Sequence, residues 1–301
     1  MSINSFAPLN PALLDFRLPE HDGYPADKAA GDTRDVLWDV CGAASRKFPK
    51  SFEVEPRHWA EHARENDKYH TWPINYLDRF TNQPPTHECT AHSLQANGSG
   101  ARNRHRGIIF KDGPVKDFRY AESATSGSVW FSCMYPYNIA NPGIRGGAGV
   151  REVLEIVCDK GFLPEHTQPR DYGFKHTVPG TMGAGNNNQS KGKWVSEDDL
   201  PDGYEETAKW FKPLEIVFPE SFEEFICMIL GGVLMSVGRD GHAVPEAFLK
   251  FNENDELIGA GYSDSYNVIR YDSVRTLRSC WRGSFGIVTM TKPDSYDKPA
   301  G

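Results

Sequence analysis

The strongest constraint in this sequence is a change of period at Gly231-Gly232. Just before it, Ser221-Phe222-Glu223-Glu224 is a capping box, and the helix it opens runs through Phe225 and Ile229 to the two glycines. After it, the apolar residues come in short runs that suit strands, at 233–237, 243–251, 256–261 and 286–291. Further upstream, residues 149–160 predict an amphipathic helix, with Val150, Val153, Leu154, Val157 and Cys158 at helical spacing. Gly161 suits its C-terminal cap, and Pro164 forbids simple continuation. Helices first and strands last make an α+β plan with a cleft between the two parts.

A chain of 301 residues accommodates one large core or two modest ones. Residues 1–65 read as an N-terminal extension or arm, punctuated by Pro8, Pro11, Pro19 and Pro25, with a helix around 35–47. The stretch 58–70 is strongly charged and carries too little apolar periodicity for a core helix. Residues 66–301 form the main domain, helical over about 72–170 and 215–232 and strand-rich over about 233–292. Within it, 175–200 is a polar loop; its Gly183-Ala184-Gly185 lacks the Gly-Lys-Ser ending of a phosphate cradle.

A formal charge of −8 argues against nucleic acid as a partner, and the one basic cluster, Arg102-Asn103-Arg104-His105-Arg106, reads as a solvated face. No apolar run reaches the length of a membrane span, so no membrane partner is expected. Met1 to Asp15 lacks the basic start and apolar stretch of a secretory signal, which points to a cytoplasmic or virion-associated protein. The six cysteines, at 41, 89, 133, 158, 227 and 280, form no C-x-x-C pair. They read as buried apolar residues or a reactive thiol rather than a zinc ribbon or redox dithiol.

One segment carries chemistry: Asn82-Gln83-Pro84-Pro85-Thr86-His87-Glu88-Cys89-Thr90-Ala91-His92-Ser93. Small residues follow Cys89 into a helix that begins at or just before it, over about 89–96. That places a thiol at a helix N-terminus, where unpaired amides and the dipole favour thiolate. A turn through the prolines brings the Gln83 amide back beside the sulfur, where it and the Cys89 N–H converge as an oxyanion site. Read alone, the same segment equally suits a core cysteine after a proline turn.

The segment resembles the nucleophile region of the papain-like cysteine peptidases, in the Cys-Thr-Ala form of bacterial and phage-encoded members. Gly146-Gly147-Ala148-Gly149-Val150-Arg151-Glu152-Val153-Leu154, ending in Lys160-Gly161-Phe162-Leu163-Pro164-Glu165, resembles that family's glycine-rich substrate loop and following helix. Gly241-His242-Ala243-Val244 resembles the strand bearing its histidine. The motifs fall in family order over roughly residues 72–292. The resemblance implies a helical left part and an antiparallel, β-barrel-like right part. It implies catalysis by Cys89, His242 and Gln83, a cleft lined by Gly146, Gly147 and His87, a peptide or protein substrate, and neither metal nor cofactor.

The family's orienting asparagine is absent in register. Aligning Tyr262 and Tyr266 with the family's two tryptophans puts Ala260 in its place, leaving Asp264 and Asn267 as nearby polar candidates. Glu88 beside the thiol would oppose its ionisation unless its side chain points away. His87 and His92 read as surface residues. A thiol peptidase is therefore one expectation. A weak or inactive papain fold, docked by its N-terminal arm in a virus particle or secretion assembly, is the second, and a transglutaminase or amidase the third.

Overall fold

The computed structural model describes residues 48, 50–81, 88–114, 128–140, 148–164, 204–239, 241–266 and 268–290. The described helices are α1 (Trp59–Tyr69), α2 (Cys89–His105), α3 (Met134–Ala140), α4 (Val150–Lys160), α5 (Tyr204–Lys209), α6 (Phe222–Leu230) and α7 (Val274–Cys280). The strands are β1 (Pro213–Val217), β2 (Met235–Arg239), β3 (His242–Phe251), β4 (Leu257–Asp264), β5 (Val268–Ser273) and β6 (Gly286–Met290).

Four strands form an antiparallel sheet in the order β2-β3-β4-β5, while β1 and β6 pair separately. One bridge, Ser236 to Phe285, ties the two sheets together. The architecture is thus mixed helix and antiparallel sheet, but the barrel-like expectation is not met among the described residues. β2 and β5 end the order instead of pairing with each other, so neither sheet closes.

Helix α2 is the spine, buried at every residue from Cys89 to Asn103. A buried helix this polar stands only if its side chains find partners. Asn97 Nδ2 donates to Leu234 O at 3.0 Å and Ser236 Oγ at 3.1 Å, and its Oδ1 accepts from the Ile287 N–H at 2.9 Å. Asn103 bridges the Tyr76 carbonyl at 2.9 Å and the Val129 N–H at 3.0 Å. Ser99 Oγ accepts from the Phe131 N–H at 3.1 Å, and Gln95 donates to the Phe131 carbonyl. Close approach requires small residues: a Cβ on Gly98 would lie 2.6 Å from the Phe162 ring.

The spine divides two apolar clusters. Ala96 joins Trp72, Phe225, Met228, Val237 and Phe248 on one side. Ala91, Leu94 and Ala101 join Phe131, Leu154, Phe162 and Phe285 on the other.

The two amphipathic helices form where their patterns place them. In α4, Val153, Leu154 and Val157 are buried, and the Gly149 N–H donates to Glu152 Oε2 at 2.9 Å. Gly161 ends it at φ +92, where a Cβ would collide with the Ala208 carbonyl. Ser221 Oγ caps α6 by accepting from the Glu224 N–H at 3.0 Å, while Glu224 reaches the Glu220 N–H rather than that of Ser221.

Three readings are corrected. Residues 58–70 contain α1, whose stripe of Trp59, Ala60, Ala63 and Asn66 is buried. Asn66 Nδ2 donates to Leu230 O at 2.8 Å at the end of α6, so a polar residue serves where an apolar one was sought. The basic cluster is only half solvated: Arg102 and Asn103 are buried, and Arg104 donates to the Gly231 and Val288 carbonyls. Helix α2 itself runs to His105, well beyond the expected 96. The rest of the arm, residues 1–47, and the polar loop 175–200 lie outside the described residues. No described helix is long and apolar enough to cross a membrane.

Candidate active site

Cys89 is the first residue of α2 and 9% exposed. Its backbone N–H belongs to the helix's first turn, where no intrahelical acceptor is available. β3 begins at His242 and β4 ends at Asp264, and because the two strands are antiparallel those ends lie side by side. α2 packs across β3, so the topology brings the thiol, the imidazole and the carboxylate to one corner.

His242 Nε2 lies 3.1 Å from Asp264 Oδ1. The Cys89 thiol interacts with the same imidazole, and with Nε2 engaged by Asp264, Nδ1 is the ring nitrogen left to face it. Burial on its own would lower the His242 pKa. The hydrogen bonds to Asp264 and Cys89, together with the negative charge of both, outweigh it and push the pKa up to about 9. The imidazolium is therefore the favoured form at neutral pH.

Asp264 is held as a carboxylate. Burial alone would raise its pKa, but His242, Arg270 and the Tyr266 backbone N–H together keep it below the usual carboxylate value. Arg270 Nε approaches Oδ2 at 2.5 Å as an ion pair rather than a well-aligned hydrogen bond. The Tyr266 ring stacks on His242, with centroids 6.0 Å apart and planes 27° from parallel. Burial first, and then the charges of Asp264 and Cys89, push the Tyr266 hydroxyl up to about 12.

Of the residues singled out in the sequence, Cys89, His242 and Asp264 are brought together. Gln83, His87, Gly146, Gly147 and Asn267 lie outside the described residues. Ala260 is not beside His242. It sits four residues back along β4, fully buried between Leu249 and Asp272, because β4 continues three residues past the expected end at 261. Glu88 is buried with Oε2 3.7 Å from His92 Nε2, one helical turn on, so its carboxylate faces that imidazole. His92 is therefore a buried residue and not the surface residue expected; Cys133 Sγ also lies 3.7 Å from its Nε2.

Sequence reasoning missed the charged lane behind this corner. The pairings Arg239↔His242, Glu246↔Tyr262 and Tyr262↔Arg270 place these residues on one sheet face, and alternation adds Asp264 and Asp272. Arg239 donates to Glu246 Oε1 at 2.9 Å, pairs with Asp272, and lies over the Tyr262 ring at 4.1 Å. Burial raises the pKa of Glu246 despite Arg239, with the neighbouring Asp272 charge adding to the rise. A charged residue four positions after His242, on the same face of an apolar strand, was the available signal: Glu246. Among the described residues, no group of three or more His, Cys, Asp or Glu side chains is placed to hold a metal ion.

No protein-family model matches this sequence, and no curated protein matches it. Among solved structures, the chain is similar to xylellain, a cysteine protease from Xylella fastidiosa. The identity is 13% and the TM-score 0.46, over 83% of this chain and 88% of that one.

Proposed function

We propose that this chain is a papain-like thiol hydrolase that cleaves peptide bonds, with Cys89 as nucleophile, His242 as acid–base and Asp264 as the residue that orients it. The observation that carries the reading is the line from the α2 N-terminus through His242 to Asp264, with the His242 pKa pushed up to about 9. A thiolate beside an imidazolium is the ground state such chemistry needs.

In this reading the Cys89 sulfur attacks the carbonyl carbon of a peptide bond. The developing oxyanion is met by the Cys89 N–H and, from its spacing in the sequence, the Gln83 amide. The His242 proton passes to the leaving amine, and a water deprotonated by the same ring then releases the acyl group and restores the thiol. Throughout, Asp264 holds Nε2 so that Nδ1 keeps facing the sulfur.

The test is turnover of casein and fluorogenic peptides under reducing conditions by wild type, Cys89→Ala, His242→Ala and Asp264→Ala. The first two changes should each lower kcat at least about 10³-fold, and Asp264→Ala about 10²–10⁴-fold. Limiting iodoacetamide near pH 7 should label Cys89 first; burial raises the Cys227 thiol and pushes Cys280 up to about 12, which slows both. Cleavage that survives Cys89→Ala would overturn the reading, as would a wild type that neither turns over nor labels preferentially at Cys89.

A further inference from the structure

The carboxylate of Asp264 is met chiefly by donors. His242 Nε2 lies 3.1 Å from Oδ1, the Tyr266 backbone N–H is hydrogen-bonded to the carboxylate, and Arg270 Nε approaches Oδ2 at 2.5 Å. The Ser265 hydroxyl stands off at 3.5 Å from Oδ1. A guanidinium has no acceptor and does not deprotonate in a protein. An amide at position 264 would have to turn its NH2 toward Arg270, leaving two donors face to face, or toward His242, which then either meets donor with donor or forces the ring to give up its Nε2 proton.

Arg270 is in place to make that choice. It stands on β5 directly across from Tyr262, is 7% exposed, and shares a sheet face with Asp264. The other arginine of that face, Arg239, is engaged by Glu246 and Asp272 and does not compete for Asp264. We infer that Arg270 is a positioning residue for the His242–Asp264 pair: by holding Oδ2 it turns Oδ1 toward Nε2, and it makes a carboxylate rather than an amide the partner this site accepts. The inference deepens the hydrolase reading and rests on it for the activity measurements alone.

The groups facing His242 that can influence its titration are Cys89 from α2, Asp264 from β4, and Tyr266 from the turn before β5; its strand partner is Arg239 on β2. Removing Arg270 acts on the ring in two opposed ways. Loss of a nearby positive charge raises the His242 pKa, whereas loss of an oriented Asp264 lowers it. The direction of the shift therefore separates positioning from bare electrostatics.

The experiment compares wild type with Arg270→Gln, Arg270→Lys, Asp264→Asn and the double variant Asp264→Asn/Arg270→Gln. It reads peptide kcat and KM, and follows the His242 ring titration by NMR in each protein. Arg270→Gln should lower kcat about 10–100-fold with KM within about twofold, and lower the His242 pKa. Arg270→Lys, a point charge without the planar fork, should recover part of both and guards against a misfolded glutamine variant. The double variant should be more active than Asp264→Asn alone, because a glutamine carbonyl can accept from the asparagine NH2. An unchanged or raised His242 pKa in Arg270→Gln, or a double variant no better than Asp264→Asn, would overturn the inference. Should wild type show no turnover, the hydrolase reading fails while the NMR titrations still decide the role of Arg270.

Discussion

Helix α2 and the β2–β5 sheet meet at Cys89 and His242, but they hold their polar groups by different means. On the helix, Asn97, Ser99 and Asn103 bond to backbone groups of neighbouring segments, and none of these partners titrates. On the sheet, the bonds are between charges: His242 with Asp264, Asp264 with Arg270, and Arg239 with Glu246 and Asp272. Neutral amides fix where the thiol stands whatever the pH, since their strength does not depend on a proton. Charges tune the imidazole, and they tie its wall to the solution's pH. Placement and tuning are thus assigned to different walls of one site.

The largest effect should come from breaking the neutral wall. Asn97→Ala removes four hydrogen bonds and strands the Leu234 carbonyl and Ile287 N–H in the core beside β2 and β6. Each unsatisfied buried group costs about 1–3 kcal/mol, so a loss of about 3–5 kcal/mol is expected from urea unfolding. The loss should be the same at pH 6 and pH 9. A loss that changes with pH would mean the helix is held through the charged wall after all.

The charged wall should show the opposite behaviour. His242 has its pKa raised from 6.5 to about 9 in the folded chain, so its contribution is fully present below 6.5 and is lost as pH rises through 9. Glu246 is also raised; the unfolded chain releases its proton first, and stability again falls as pH rises past the ordinary carboxylate value. Both signs agree: the rise at His242 alone is worth about 3 kcal/mol and Glu246 adds to it, so wild-type stability should drop by more than about 3 kcal/mol between pH 6 and pH 9.5. Asp264, held below its usual value, works the other way and costs stability only in acid. Urea midpoints that stay flat or rise across pH 6–9.5 would contradict the account.

These two walls were not equally legible in the sequence. The helix that opens at Cys89 was visible because small residues follow a proline turn, but its continuation past 96 was not. Asn97, Gly98, Ser99, Gly100 and Asn103 have no apolar period, and their fitness for a buried helix lies in partners far along the chain, such as Ile287. Gly241-His242-Ala243-Val244 points to His242, while Asp264 stands in the sequence only as one of two nearby polar candidates. A one-strand reading that stops β4 at 261 cannot show which residue reaches the end of β3. Pairing with β5, whose Val268–Ser273 run is too charged to announce itself, carries β4 on to Asp264. Ala260, offered the orienting role by alignment of the tyrosines, is a core residue with no exposed surface.

The smallest expected effect separates the two charged clusters on the sheet. Cys89→Ala deletes one hydrogen bond and one charge that raise the His242 pKa, while Asp264 remains. The ring should then titrate closer to its ordinary value, and the stability drop between pH 6 and 9.5 should shrink by about 1 kcal/mol. Glu246→Gln acts on the other cluster: it keeps the shape of the side chain facing Arg239 but has no proton to lose. It should remove the share of the same drop that Glu246 supplies, up to about pH 8, and leave the rest to His242. Unfolding curves for the two variants and wild type, at half-unit steps of pH, would resolve the two contributions. If Cys89→Ala leaves the drop unchanged and Glu246→Gln abolishes it, the pH sensitivity belongs to the inner cluster alone. His242 would then titrate in the folded chain where it does in the unfolded one, and the two walls would touch at the site without exchanging charge.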